Sequence, residues 1–420
     1  MPGVSEEADQ KKARAKQTVY EKEYVRGSIL DRNGKALAWS REPWGKRFYA
    51  SKYANSSLIG YWSKIYGTSG LESKFNDLMT HSAAPEKDKR GADMTLTLDS
   101  SLQEAAYEQI KDGIGSVVIL SAKTGEILAL TSSPSYDADT LEDEWEEVNE
   151  RDGVFLSNAF LNPVAPGSVF KLVTSKAILE CGLEDKKVED EGALKINGQT
   201  IRNYDGKAYG SLDWEQGFVK SSNVYFMQMA LEMGGNILDD AAGAFLLGQD
   251  IDLDFATIRS SWDLADYEKN VVASAAFGQG STLVTPLQMA MITQSIAGGG
   301  TMKKPYLIKS VVNAKDQVLV EGEEETLTKT MEPETAAKIR RVMTEAGESY
   351  GLSRIGDNCY KIAAKTGTAQ RGDGTNNAWM VTFAPADDPQ YIVVVNRLKT
   401  KEIGKSLAPT VELLYEMLLD

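Results

Sequence analysis

The sequence is short of the residues on which most hydrolytic, redox and metal chemistry depends. One histidine, His81, serves a chain of 420 residues, and it opens the polar stretch His81 to Lys89, which reads as a turn or linker. A Ser-His-Asp or Cys-His mechanism needs an imidazole beside its nucleophile. Those classes are therefore disfavoured, and an activated nucleophile must find another base. The two cysteines, Cys181 and Cys359, are too few for a cysteine-rich zinc site and lack Cys-x-x-Cys spacing. No metal and no cofactor are expected. Two buried thiols are the expected state of the cysteines, with one disulfide as the alternative. Basic charge is also scarce: 46 Lys and Arg face 61 Asp and Glu, a formal net charge of -15. Nucleic acid is thus not an expected partner, because phosphate binding needs a basic surface. No apolar run reaches the roughly 20 residues of a membrane helix. The best candidate, Val117 to Leu130, is broken by Lys123 and Glu126, and Met1 to Thr18 is too polar for a secretory signal.

What is present suggests two unequal domains. Residues 1–19 form a polar tail, with order expected from about Val19. A small N-terminal domain over 20–93 is punctuated by Gly27, Gly34, Gly60, Gly67 and Gly70. The larger domain, 94–420, opens with the alternating strand Met94 to Leu98. A helix follows, with a capping-box pattern from Ser101 to Glu104 and its end at Gly113. Val117 to Ser121 and Glu126 to Thr131 make a hairpin around Ala122-Lys123-Thr124-Gly125. The middle, from about Gly167 to Gln294, reads as mostly helical. Strands return at Lys361 to Ala369, Ala378 to Ala384 and Tyr391 to Arg397, before a closing helix from about Lys405 to Leu419. One antiparallel sheet can unite the early hairpin with these late strands, an α+β arrangement.

Three short phrases carry chemistry. Ser168-Val169-Phe170-Lys171 is the single Ser-x-x-Lys of the chain, follows the breaker pair Pro166-Gly167, and opens an apolar helix ending at Gly182. Helical residues three apart share a face, which sets the Lys171 amine beside the Ser168 hydroxyl. Burial lowers a lysine pKa, so a neutral amine can stand in for the missing imidazole. Ser221-Ser222-Asn223 precedes another apolar helix and reads as an N-cap, as a second proton-relaying hydroxyl with a peptide-binding amide, or as both. Lys365-Thr366-Gly367-Thr368 lies in a β-rich run, where glycine signals either a bulge or the close approach of another backbone or ligand. A second Lys-Thr-Gly, Lys123 to Gly125, falls at a hairpin reversal and has no role in catalysis.

In this order the three phrases resemble the signatures of the penicillin-recognising serine transferases and β-lactamases. The surrounding text resembles penicillin-binding protein transpeptidase domains: Pro166-Gly167 before Ser168, Ser133-Pro134-Ser135-Tyr136-Asp137 after the hairpin, Gly278-Gln279-Gly280, and Thr285-Pro286-Leu287-Gln288. Upstream, Arg26-Gly27-Ser28-Ile29-Leu30-Asp31-Arg32-Asn33-Gly34 is similar to the start of the pedestal domain of monofunctional, class B members. The short pedestal with Tyr66 to Glu72 is most similar to the penicillin-binding protein A branch of Gram-positive bacteria.

The resemblance implies a penicillin-binding transpeptidase fold on an N-terminal pedestal, and a D,D-transpeptidase that cross-links peptidoglycan stem peptides and is acylated by β-lactams. It implies that Ser168 forms the acyl-enzyme with Lys171 as base, and that Ser221 relays the proton to the leaving D-alanine. Asn223 would bind the donor peptide, Lys365 would hold the field around Ser221, and Thr366, Gly367 and Thr368 would bind the substrate terminus. Backbone N–H groups of Ser168 and Thr368 would make the oxyanion hole. It further implies an extracytoplasmic location beside membrane proteins of cell-wall synthesis. Family members carry a single-pass anchor that this chain lacks, and a truncated front would suit the Met1-Pro2-Gly3 start. A D,D-carboxypeptidase or β-lactamase on the same fold, and a non-catalytic scaffold, are the alternatives. For a lactamase, Glu232 and Asn236 match a Glu-x-x-x-Asn pattern, but Gly234-Gly235 between them reads as a helix end.

Overall fold

The computed structural model describes residues 22–81, 89–204 and 206–419. The polar tail, the expected start at Val19 and most of the stretch after His81 lie outside them. His81 itself follows the helix Asn76–Thr80 and meets the Tyr24 ring edge-on at 5.4 Å.

The N-terminal region builds a six-stranded sheet from short pieces, in the order Val318–Glu321, Ile308–Val312, Asp93–Leu96, Ile29–Leu30, Ala36–Ser40 and Arg47–Tyr49. Two of its strands come from far along the chain, so the long return past residue 300 ties this sheet to the rest of the molecule. Its core contains a fully buried carboxylate. Glu72 accepts from Arg26 Nε and Arg47 Nε, each at 2.7 Å, and from Tyr49 OH at 3.3 Å. A carboxylate in this setting is stable only because two guanidiniums and a phenol surround it.

The second body centres on five antiparallel strands. In chain order the elements that matter are β1 (Ile114–Ser121), β2 (Ile127–Ser133), α1 (Lys171–Glu180), α2 (Asn223–Met233), α3 (Pro286–Ala297), α4 (Pro333–Tyr350), β3 (Ala363–Gln370), β4 (Asn376–Ala384), β5 (Tyr391–Thr400) and α5 (Ala408–Leu419). The sheet order is β3-β4-β5-β1-β2, so the expected union of the early hairpin with the late strands is what forms. Period-two alternation assigns the faces. Val117, Ile119, Val393 and Val395 pack with Val411, Leu414 and Tyr415 of α5, whereas Val118, Leu120, Ile392 and Val394 join Met289, Ile292 and Ile296 of α3. The sheet is thereby covered by helices on both faces.

Several local expectations change. The helix after residue 99 runs from Ser100 to Glu108 and is capped by Asp99, whose carboxylate accepts from Ser101 N at 2.9 Å and Leu102 N at 3.2 Å. Glu104 instead accepts from Ser51, so no capping box forms. The middle is less helical than expected: Val188–Asp190 pairs with Gly210–Leu212, and Ala193–Ile196 with Gln199–Arg202. The cysteines are neither buried nor bonded, since both are free and exposed. Cys181 sits at the C-cap of α1 and Cys359 in a turn at φ 53°, positions where the chain leaves the core. Among the described residues no helix is long and apolar enough to cross a membrane.

Candidate active site

The three phrases meet at one cleft of about 820 Å³. Pro166-Gly167 turns the chain into a short 3-10 segment, Gly167–Phe170, which leads directly into α1. Ser168 thus sits on the entering turn, and Lys171 is the first residue of α1, fully buried. Gly167 holds φ +57°, which suits glycine, and donates its N–H to Gly278 O at 2.9 Å. The Gly-Gln-Gly phrase therefore anchors the turn that presents Ser168.

The Ser221 segment approaches from the start of α2. Ser222 is the N-cap and accepts from Tyr225 N at 2.9 Å, which is the capping expectation. Ser221 holds φ 55° just before it, turning its hydroxyl and its carbonyl toward Lys171. The third phrase lies on β3, the edge strand. Thr366 and Thr368 line the cleft on one face, while Lys365 on the other is fully buried. No bulge occurs, because β3 pairs with β4 without a register shift from Ala363 to Gln370. Close approach explains the glycine: a Cβ on Gly367 would stand 2.7 Å from Pro166 O and 3.2 Å from Val169 N. Gly367 is buried against the turn that carries Ser168, so any side chain there would push that turn and the strand apart.

Four oxygens surround the Lys171 amine. Ser221 O lies at 2.6 Å, Asn223 Oδ1 at 2.8 Å, Ser168 Oγ at 2.9 Å and Ser221 Oγ at 3.2 Å. The Asn223 amide is oriented by donating Nδ2 to Arg202 O at 3.0 Å, which leaves Oδ1 toward the lysine. Burial, and then the positive charge of Lys365, hold the Lys171 amine well below its usual range, against a smaller opposing pull from Asp190. A neutral amine has two N–H donors and one lone pair. The carbonyl of Ser221 and Oδ1 of Asn223 can only accept, so they take both N–H bonds. The lone pair is then left for a hydroxyl hydrogen, and Ser168 Oγ is the nearer of the two hydroxyls. Lys365 Nζ reaches Ser221 Oγ at 2.9 Å, Tyr350 OH at 3.2 Å and Thr366 O at 3.1 Å.

The penicillin-binding protein transpeptidase domain model matches residues 115–416, and the penicillin-binding protein A dimerisation domain model matches residues 26–97. The chain belongs to the penicillin-binding protein transpeptidases. Among relatives, it is 28% identical over 409 residues to the peptidoglycan D,D-transpeptidase PbpA of Mycolicibacterium smegmatis, covering 88% of this chain and 83% of that protein. The D,D-transpeptidase domain from Eggerthella lenta superposes with a TM-score of 0.85 at 30% identity, over 94% of this chain and 98% of that one. Penicillin-binding protein A from M. tuberculosis, solved as a ceftriaxone acyl-enzyme complex, gives 0.89 at 26% identity over 95% and 99%.

A layer behind this penicillin-binding protein site escaped the sequence. Asp190, fully buried, accepts from Ser222 Oγ at 2.5 Å, Gly192 N at 2.7 Å and Asn203 Nδ2 at 2.9 Å. Asn203 Oδ1 in turn accepts from Asn223 N at 2.8 Å and Val224 N at 3.2 Å. One carboxylate thus fixes the Ser221–Asn223 segment through two neighbours. Glu232 lies in the last turn of α2, exposed and paired with Lys186, and does not line the cleft.

Proposed function

We propose that this chain is a peptidoglycan D,D-transpeptidase that cross-links stem peptides through an ester on Ser168 and is a target of β-lactams. Neutral Lys171 takes the Ser168 proton as Oγ attacks the carbonyl of the penultimate D-alanine. The tetrahedral oxyanion is held by the N–H groups of Ser168 and Thr368. On collapse the C–N bond breaks, and the leaving D-alanine nitrogen receives the proton from Lys171 through Ser221. An acceptor amine then attacks the ester, gives its proton back along the same path, and restores the Ser168 hydroxyl. Thr366 and Thr368 bind the terminal carboxylate, and Asn223 the donor peptide. The work takes place on the extracytoplasmic face of the membrane, beside membrane proteins of cell-wall synthesis.

The observation that carries this reading is the set of acceptors around Lys171, which leaves its lone pair facing Ser168. Intact-mass measurement after incubation with benzylpenicillin tests it. One adduct is expected, mapped to Ser168 and lost in Ser168→Ala; an adduct elsewhere, or none, would overturn it.

A further inference from the structure

The chain carries 61 acidic residues against 46 basic ones, yet the described lining of its cleft has the opposite balance. No Asp or Glu occurs among the described residues lining the cleft, whereas Arg202 and Lys220 both do. Both side chains are exposed, and among the described residues neither has an acidic partner. Their placement is tied to the catalytic phrases. Lys220 immediately precedes Ser221, and Arg202 supplies the carbonyl that orients the Asn223 amide at 3.0 Å. Lys220 Nζ also sits 5.5 Å from the ring centre of Tyr209, another cleft residue, which restrains it at the wall. The described wall also contains the neutral, polar Gln199, Thr200 and Gln279.

Two unpaired cations cost a protein little at its surface, but in a concave wall whose described lining holds no carboxylate they focus a positive field on whatever enters. The terminal carboxylate of the donor is read on the strand side, by the threonines of β3. Arg202 and Lys220 lie on the other segments of the cleft, where the upstream part of a donor peptide would run.

We infer that Arg202 and Lys220 form a second carboxylate subsite, selecting donor peptides that carry a free carboxylate upstream of the D-Ala-D-Ala terminus over those in which it is amidated. The inference rests on the Ser168 reading above, and deepens it by assigning the charge of the substrate.

The test uses two synthetic peptides ending in D-Ala-D-Ala that differ at one upstream residue, a D-glutamate with its α-carboxylate free or converted to the amide. D-Alanine release gives kcat/KM for each, and the ratio is taken within each protein, so a general loss of activity cancels. The wild type is expected to favour the free carboxylate by about fivefold, the size two partly solvated ion pairs can supply. The preference should shrink with added salt. Arg202→Gln with Lys220→Gln should bring the ratio to about one, while Lys220→Arg should keep it. Equal turnover of both peptides by the wild type, or a ratio unchanged in the double variant, would overturn the subsite. A penicillin adduct on wild-type Ser168 separates the two readings. With the adduct present and no peptide preference, only the subsite fails; with no adduct, both do.

Discussion

Lys365 Nζ lies 2.9 Å from Ser221 Oγ, and the same hydroxyl lies 3.2 Å from Lys171 Nζ. Two buried amines therefore share one small polar pocket, where the charge of Lys365 disfavours protonation of Lys171. Burial comes first and the Lys365 charge second among the causes that depress the Lys171 pKa. Lys365→Gln removes that charge, so Lys171 holds its proton to higher pH. The pH profile of penicillin acylation should shift upward, and the rate near neutrality should fall. A slower rate on an unmoved profile would mean that Lys365 acts only through contact with Ser221 or substrate.

Asp190 pulls the other way, since its charge favours the protonated lysine. In Asp190→Asn the acylation profile should move to lower pH, opposite to the Lys365 variant. A purely structural loss would lower the rate without moving the profile. Because Ser222 and Asn203 both rest on this carboxylate, the variant should also melt at lower temperature.

Lys171→Arg keeps a cation of similar reach that cannot give up its proton. Removing a general base costs about a thousandfold, and stopped-flow acylation by penicillin should show a loss of that order at every pH. A near-normal rate would place the base elsewhere.

The contrast between these residues shows what the sequence could and could not reveal. Ser168 and Lys171 were legible because a breaker pair, a three-residue spacing and an apolar helix are local signals. Lys365 to Thr368 were legible as strand, yet the reason for Gly367 is the turn at Pro166, a contact across about two hundred residues. Asp190 and Asn203 were missed because their bonds cross 13 to 32 residues within a stretch read as helical. Gly192, Gly198, Gly206 and Gly210 in that stretch were the available signal, since such spacing argues for hairpins rather than helix. The cysteines were misjudged because apolar propensity says nothing about a cap or a turn, where each of them lies.

Far from the cleft, Glu72 holds Arg26 and Arg47 together beneath the N-terminal sheet. Burial alone would raise its pKa, but the two guanidiniums outweigh burial and hold the carboxyl below its usual range. A depressed folded pKa means that its stabilisation is full above the unfolded value of about 4.3 and is lost as pH falls through the folded one. Glu72→Gln should cost about 3–5 kcal/mol near neutrality, by leaving two buried cations short of an anion. Urea melts should show that the penalty narrows in acid. An equal penalty at every pH would mean that the lost hydrogen bonds, and not the charge, carry the effect.

Transfer to an amine requires that water not reach the ester first, so the fate of the acyl-enzyme distinguishes a transpeptidase from a lactamase. A lactamase needs a carboxylate or another base beside the ester to activate water. The described lining of the cleft contains no Asp or Glu, and Glu232 is engaged with Lys186 outside it. After acylation with benzylpenicillin and removal of excess drug, the Ser168 adduct should persist for many minutes by intact mass. Loss within seconds would indicate a hydrolytic base that the geometry does not reveal. If Glu232→Gln then restored a stable adduct, the ion pair with Lys186 would have to open in solution and deliver Glu232 to the ester. With an adduct that persists equally in wild type and Glu232→Gln, that residue remains the end of a helix and nothing more.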